Sequence, residues 1–251
     1  MRNRKRGDLD EMRDTFETII LIGRPAAGKS EVIDYLKKTP LEERRRRFHI
    51  GKFHEIDDFP MLWAWFEQDA ILEKVLKKPR MMTDRDGYFL HDYQWHLLIE
   101  RISLDYAKSI RDHEGDPDPP TAILEFSRGS EHGGFREAFQ HLSEPVLKTG
   151  VILYINVSYQ ESLYRNRRRF NPDRPDSILE HGLPDEKLER LYKESDWEEL
   201  SAADPSFIEI KDYKIPYDVF QNEPEKTDDP AKIAPHLEEV TSRLWKSKYG
   251  D

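Results

Sequence analysis

The chain predicts a three-layer α/β/α fold built on a parallel five-stranded sheet, and three observations carry that prediction. Short apolar, β-rich runs alternate with longer segments of helical periodicity from residue 18 onward, and strands that alternate with helices form parallel sheets covered on both faces. The first run, 18–22, is continuously apolar or β-branched, as in a strand buried on both sides. It passes directly into a glycine-bearing loop and then a helical segment, the whole reading TIILIGRPAAGKSEVIDYL over 18–36.

Within that stretch Gly23, Gly28, Lys29 and Ser30 fit the pattern G-x-x-x-x-G-K-[ST], the phosphate loop (P-loop). Gly23 and Gly28 permit backbone angles that strain other residues, so the loop can curl and aim its N–H groups inward. Those donors and the positive end of the following helix make a cradle for nucleotide phosphate. Arg24, Pro25, Ala26 and Ala27 complete the loop, and Glu31 lies in the first helical turn. In this pattern Lys29 reaches the β- and γ-phosphates and the Ser30 hydroxyl ligates Mg²⁺. The motif implies a bound nucleoside triphosphate with Mg²⁺.

Composition narrows the partners. The formal net charge of −10 over 251 residues argues against an extended nucleic-acid footprint. Without cysteine there is neither a disulfide framework nor a thiolate metal site. The opening MRNRKRGDLDEMRD is basic but lacks the apolar core of a secretory signal, and no apolar run approaches membrane-spanning length. The expectation is a soluble, cytoplasmic protein. A homodimer is left open.

Residues 1–14 read as a flexible lead-in, and 15–251 as a single domain. The first helix runs to about Lys38, ended by Thr39-Pro40. Residues 44–47, RRRR, read as a solvated turn or short helix. Residues 48–56 alternate as a second strand ending at Asp57-Asp58, and carboxylates at the carboxyl end of such a strand point into the ligand crevice. Pro60 opens a helix rich in aromatics, in which Trp63, Trp65 and Phe66 read as core rather than pocket. A loop at 79–90 and a helix over 91–111 complete a helical substrate-side insertion at 59–112. The histidine spacings give no metal site: His91 and His96 lie five apart, off a common helix face, and His49 and His54 fall on opposite faces of a strand.

A third strand, 121–126, carries Glu125, Ser127 and Arg128 at its carboxyl end. A helix follows Gly133-Gly134, and 151–157 is the fourth strand. The next helix bears Arg165, Arg167, Arg168 and Arg169 and leads into a segment broken by proline and glycine. The region 159–199 therefore reads as an arginine-rich flap, with a helix resuming at about Asp185. Residues 206–210 and 213–220 supply a fifth strand, alone or with a hairpin partner, and a helix from Asp229-Pro230 closes the chain.

In this order the features resemble the P-loop kinases of the nucleoside and nucleotide kinase type, from Thr18 onward. The resemblance implies an ATP-dependent transfer of phosphate to a small-molecule hydroxyl or phosphate, a nucleoside or nucleotide first. It implies that Asp57 or Asp58 contacts the acceptor, acts as base or helps hold Mg²⁺. Glu125-Phe126-Ser127-Arg128 looks like a variant of the Glu-Arg-Ser signature of deoxynucleoside kinases, with the arginine displaced by two positions, and Glu125 joins Ser30 as a metal ligand. Gln94 and Arg101 match the substrate helix, Arg165, Arg168 and Arg169 the arginine-bearing flap, and Asn222 the strand end that passes the adenine. Two alternatives stand beside this reading. One is a nucleotide-dependent switch acting on a protein partner through 79–90 or 170–184; the other is a toxin-type kinase acting on a nucleotide-sugar. The absence of an N-K-x-D tetrapeptide disfavours a GTPase.

Overall fold

A computed structural model describes residues 14–169 and 183–250. The expected lead-in, apart from Asp14, and the flap segment 170–182 lie outside the described residues.

The six strands are β1 (Thr18–Gly23), β2 (Phe53–Asp57), β3 (Thr121–Phe126), β4 (Gly150–Asn156), β5 (Phe207–Ile210) and β6 (Tyr213–Gln221). They form one sheet of order β2-β3-β1-β4-β6-β5. Every pairing is parallel except β5 with β6. β1 is buried along its whole length between β3 and β4, as an unbroken apolar run requires.

Successive side chains of a strand point to opposite faces, and the core divides accordingly. Ile20 and Ile22 pack with Ile99, Ile102, Phe135 and Phe139, from α4 (Tyr93–Asp112) and α5 (Gly134–Gln140). Ile19 and Leu21 pack with Val32, Ile33, Leu237 and Val240, from α1 (Lys29–Lys38) and α10 (Pro230–Tyr249). A third cluster joins Trp65, Trp95, Leu98, Leu188 and Leu191, tying α3 (Phe59–Lys74) and α4 to α8 (Asp185–Tyr192). The remaining helices are α2 (Leu41–Phe48), α6 (Glu144–Thr149), α7 (Tyr159–Arg169) and α9 (Trp197–Ser201).

The structure corrects two expectations. The sheet has six strands, not five: Lys211, at a left-handed φ of 54°, turns the chain so that β5 and β6 both join as an antiparallel edge pair. The second strand starts at Phe53 rather than at 48. Residues 41–48 are helical, and His49 caps that helix at φ 54°. The cause is Arg44, which is buried and donates to Gly51 O at 3.0 Å and Leu36 O at 2.8 Å, fastening helix and turn together. Among the described residues no helix is long and apolar enough to cross a membrane.

Candidate functional site

β1 delivers the chain to Gly23, where a Cβ would stand 2.6 Å from Ile155 O, so only glycine lets the loop leave beside β4. Gly28 sits at φ 112°, and a Cβ there would meet Asn222 Nδ2 at 2.5 Å. Ala26 between them is held at φ 55°, a conformation that costs on the order of 1–3 kcal/mol and persists only where surroundings enforce it.

Those surroundings are buried donors behind the loop. Asn222 Nδ2 donates to Ala27 O at 2.7 Å, Ser162 Oγ to Pro25 O at 2.7 Å, and Arg165 Nη1 to Ala27 O at 3.4 Å. Arg165 Nη2 also donates to Asn222 O at 2.6 Å. Asn222 is in turn fixed by Lys226 N, which donates to its Oδ1 at 2.7 Å. The loop is thus gripped from behind by its carbonyls, with Ala27 N donating to Arg24 O at 3.2 Å, and it runs into the first turn of α1, where helix N–H groups lack intrahelical acceptors.

Strand register assembles the charged centre. β2 and β3 pair Asp57 with Glu125, and β1 and β3 pair Leu21 with Glu125, bringing the carboxyl ends of three strands together. Lys29 Nζ donates to Ser127 Oγ at 2.7 Å and to Arg24 O at 3.3 Å, and lies 3.9 Å from Glu125 Oε1. Burial pushes the Lys29 ammonium below its usual range, against the pull of Glu125 and Asp57. Burial likewise raises the Glu125 carboxyl, opposed by Lys29.

Asp57 Oδ1 accepts a hydrogen bond from Phe59 N at 2.9 Å. Burial first, then the neighbouring Asp58 and Glu125, push its carboxyl up to about 8. Asp58 is engaged differently: it is buried, with Oδ2 2.7 Å from Arg128 Nη1. Arg128 also donates to Ser127 O at 2.6 Å and Trp95 O at 3.2 Å, and its guanidinium lies 5.2 Å from the centre of the Trp95 ring.

A cleft of about 1210 Å³ opens onto this centre. Gly28, Lys29 and Ser30 border it, as do Asp57, Asp58 and Glu125. Trp63, Phe66 and Tyr88 add an aromatic wall, and Arg169 enters from α7, paired with Glu31 at 2.6 Å. Pro25, Ala26, Glu31 and Arg128 also line the cleft.

Other residues singled out in the sequence lie elsewhere. Asn222 and Arg165 stand behind the loop. Arg24 donates through Nη1 to Tyr192 O on α8. Arg168 is exposed, 3.3 Å from Glu225 and against the Tyr164 ring. Arg101 pairs with Asp105 at 2.8 Å, and Gln94 is fully buried, donating to Met82 O at 2.7 Å. Trp65 is core, whereas Trp63 and Phe66 line the cleft. Sequence reasoning gave Ser127 no role of its own, and it passed over Asp69, which anchors 79–90. A serine two residues past a strand-end glutamate could have pointed to the first; nothing in local spacing marks the second.

No family model and no curated protein matches the chain. Among solved structures, a shikimate kinase from Acinetobacter baumannii in complex with shikimate is similar over 72% of this chain and 75% of its own, at 15% identity and a TM-score of 0.35. A likeness of that size carries no argument about what this chain binds.

Proposed function

We propose that the protein is an ATP-dependent kinase that transfers the γ-phosphoryl group to a small-molecule hydroxyl or phosphate, with nucleosides and nucleotides the first acceptors to try. One observation carries the reading: a glycine-bent loop with a buried lysine, two strand-end carboxylates and an aromatic wall border a single cleft. Phosphoryl transfer demands mainly positioning and charge stabilisation, which these residues offer.

The loop residues 23–30 would hold the phosphates, with Lys29 meeting their negative charge. The donor set also fits Mg²⁺, a cation of oxygen ligands: the exposed Ser30 hydroxyl and the Glu125 carboxylate border the cleft. Burial and, after it, the repulsion of Asp58 and Glu125 raise the Asp57 carboxyl, and such an ion would relieve that repulsion. When bound there, the ion supplies neutralisation of phosphate charge. Asp57 is the better base of the two aspartates. Its carboxylate is oriented by Phe59 N and borders the cleft, whereas Asp58 is spent on Arg128. An elevated pKa makes the ionised Asp57 carboxylate a stronger proton acceptor, and the positive charge of the ion and of Lys29 would favour that ionised form, so Asp57 would take the acceptor's hydroxyl proton. Arg169 would add positive charge from α7.

ADP release from Mg-ATP against pooled nucleosides, nucleoside monophosphates, sugars and nucleotide-sugars tests the proposal, with Lys29→Ala as control. Turnover that depends on one pool and disappears in the variant is expected. Turnover indifferent to every pool would overturn it.

A further inference from the structure

His96 and His141 are 45 residues apart in the chain yet meet across α4 and the end of α5. Their rings are stacked, with centroids 4.5 Å apart and planes 15° from parallel. Glu137, one helical turn before His141, completes a trio whose donor atoms all lie within 4.8 Å of one another. Among the described residues no other three His, Asp or Glu side chains converge this way.

His141 is oriented at both ring nitrogens. Nδ1 lies 3.0 Å from Glu100 Oε1, and Nε2 lies 3.5 Å from Glu137 Oε1. Its backbone is fixed as well: Ser103 Oγ donates to His141 O at 3.3 Å, and Ser143 N donates to Ser103 Oγ at 3.0 Å.

We propose that His96, His141 and Glu137 form a binding site for a divalent transition ion, zinc above all, with Glu100 holding His141 from behind. Two imidazoles and one carboxylate are a donor set for zinc rather than for Mg²⁺ or Ca²⁺, which take oxygen ligands. A carboxylate that accepts Nδ1–H fixes the histidine tautomer and leaves the Nε2 lone pair for the ion, the arrangement common around protein-bound zinc. Here that carboxylate is Glu100, and Nε2 is the nitrogen turned toward Glu137. All three ligands are half-buried, so a fourth position is open to water. The ion would clamp α4 to α5. Since Trp95, next to His96, borders the cleft, the clamp would stiffen that part of the acceptor wall.

The test is a zinc titration of chelator-stripped protein in magnesium-free buffer, against a chromogenic competitor. The wild-type chain is expected to take up one equivalent that the double variant His96→Ala/His141→Ala does not. Glu100→Gln should bind about 10–100-fold more weakly. Cobalt(II) in place of zinc should give visible absorption bands in the wild type and not in the double variant. If the double variant fails to fold, Glu137→Gln removes one ligand from the same site and must weaken binding. Uptake unchanged in folded ligand variants, or no uptake by the wild type at micromolar free zinc, overturns the proposal. None of these readouts uses phosphate transfer, so this site stands or falls apart from the kinase reading.

Discussion

The loops at 23–28 and 79–90 border the same cleft, and buried polar side chains fasten them by opposite groups. The first is held by donors that grip its carbonyls, from Asn222, Ser162 and Arg165. The second is held chiefly by an acceptor. The fully buried Asp69 carboxylate takes hydrogen bonds from Met81 N, Met82 N and Thr83 N at 2.8, 2.9 and 2.6 Å, and from Thr83 Oγ1 at 2.8 Å. Its carbonyl at Met82 is closed by Gln94. The difference teaches what each loop contributes. A loop held by its carbonyls leaves its remaining N–H groups free of those fastenings, and on the proposed reading these would meet phosphate. A loop with both kinds of backbone group bonded presents side chains to the cleft, here Tyr88 and Phe89, and on the proposed reading these would distinguish one acceptor from another.

The largest effect should come from the carboxylate between these loops. Asp57→Asn is expected to lower kcat by about 10²–10⁴-fold, the usual contribution of a general base, and to erase the acid limb of the pH–rate profile. The same variant has a signature in the ligand-free protein. The folded state raises the Asp57 carboxyl from 3.8 to about 8, so it binds that proton more tightly than the unfolded chain. Its contribution favours the fold below the unfolded value and is lost as pH rises toward about 8. Asp57→Asn should therefore be more heat-stable than wild type at pH 8 and lose that advantage near pH 4, read by thermal melts across pH. A variant with full kcat would return the base assignment to Asp58 or Glu125.

Arg165→Leu should come next, costing about 3–5 kcal/mol in chemical denaturation. It strips a buried cation from Glu161 at 2.6 Å and leaves Asn222 O and Ala27 O each one donor short, and breaking a buried pair from one side is strongly destabilising. Because the loop loses its grip from behind, nucleotide affinity should fall with stability while acceptor KM stays near wild type. Affinity for nucleotide unchanged in a folded variant would show that the loop keeps its shape without the arginine.

Asp69→Asn probes the other loop and should cost less, about 1–3 kcal/mol. An amide has one accepting oxygen where the carboxylate uses both. Burial alone would raise the Asp69 carboxyl, but the hydrogen bonds from Met81, Met82 and Thr83 outweigh it and hold it below the ordinary range. The stability that Asp69 adds is thus present above the ordinary carboxylate value and lost as pH falls through the lower folded value. Wild type and variant should converge in strong acid. Amide exchange should accelerate at 81–83 and not in the phosphate loop, and acceptor KM should rise while ATP KM holds. Faster exchange in both loops would mean that they are not fastened independently.

The same contrast explains what was legible in the sequence. Parallel strands, their carboxyl-end acids and the glycine loop follow from local patterns: a run buried on both faces, a fixed motif, a strand ending in aspartates. Groups that depend on long-range packing leave no such trace. Arg165 looks like one more member of a charged helix face until Ala27 and Asn222 are seen around it. Gln94 carries the same letter whether it meets an acceptor or, as here, pins Met82. The edge hairpin stays only an alternative in the sequence, because its turn depends on a single left-handed residue, Lys211, which is not a type that announces a turn. His96 and His141 are too distant in the chain for spacing to suggest a pair.

Arg168 supplies the smallest effect and the sharpest control on Arg165. The two lie three positions apart on α7, and their charges read alike in the sequence. Arg165 is 5% exposed and bonded to two backbone carbonyls. The Arg168 side chain is 56% exposed and reaches only a carboxylate and a ring at the surface, Glu225 and Tyr164. Exposed ion pairs contribute little because water screens them and ordering two long side chains costs entropy. Arg168→Ala should therefore shift stability by no more than about 0.5 kcal/mol and leave nucleotide affinity within twofold. A large loss of kcat with stability intact would give Arg168 a place at the transferring phosphate beside, or instead of, the charge proposed for Arg169.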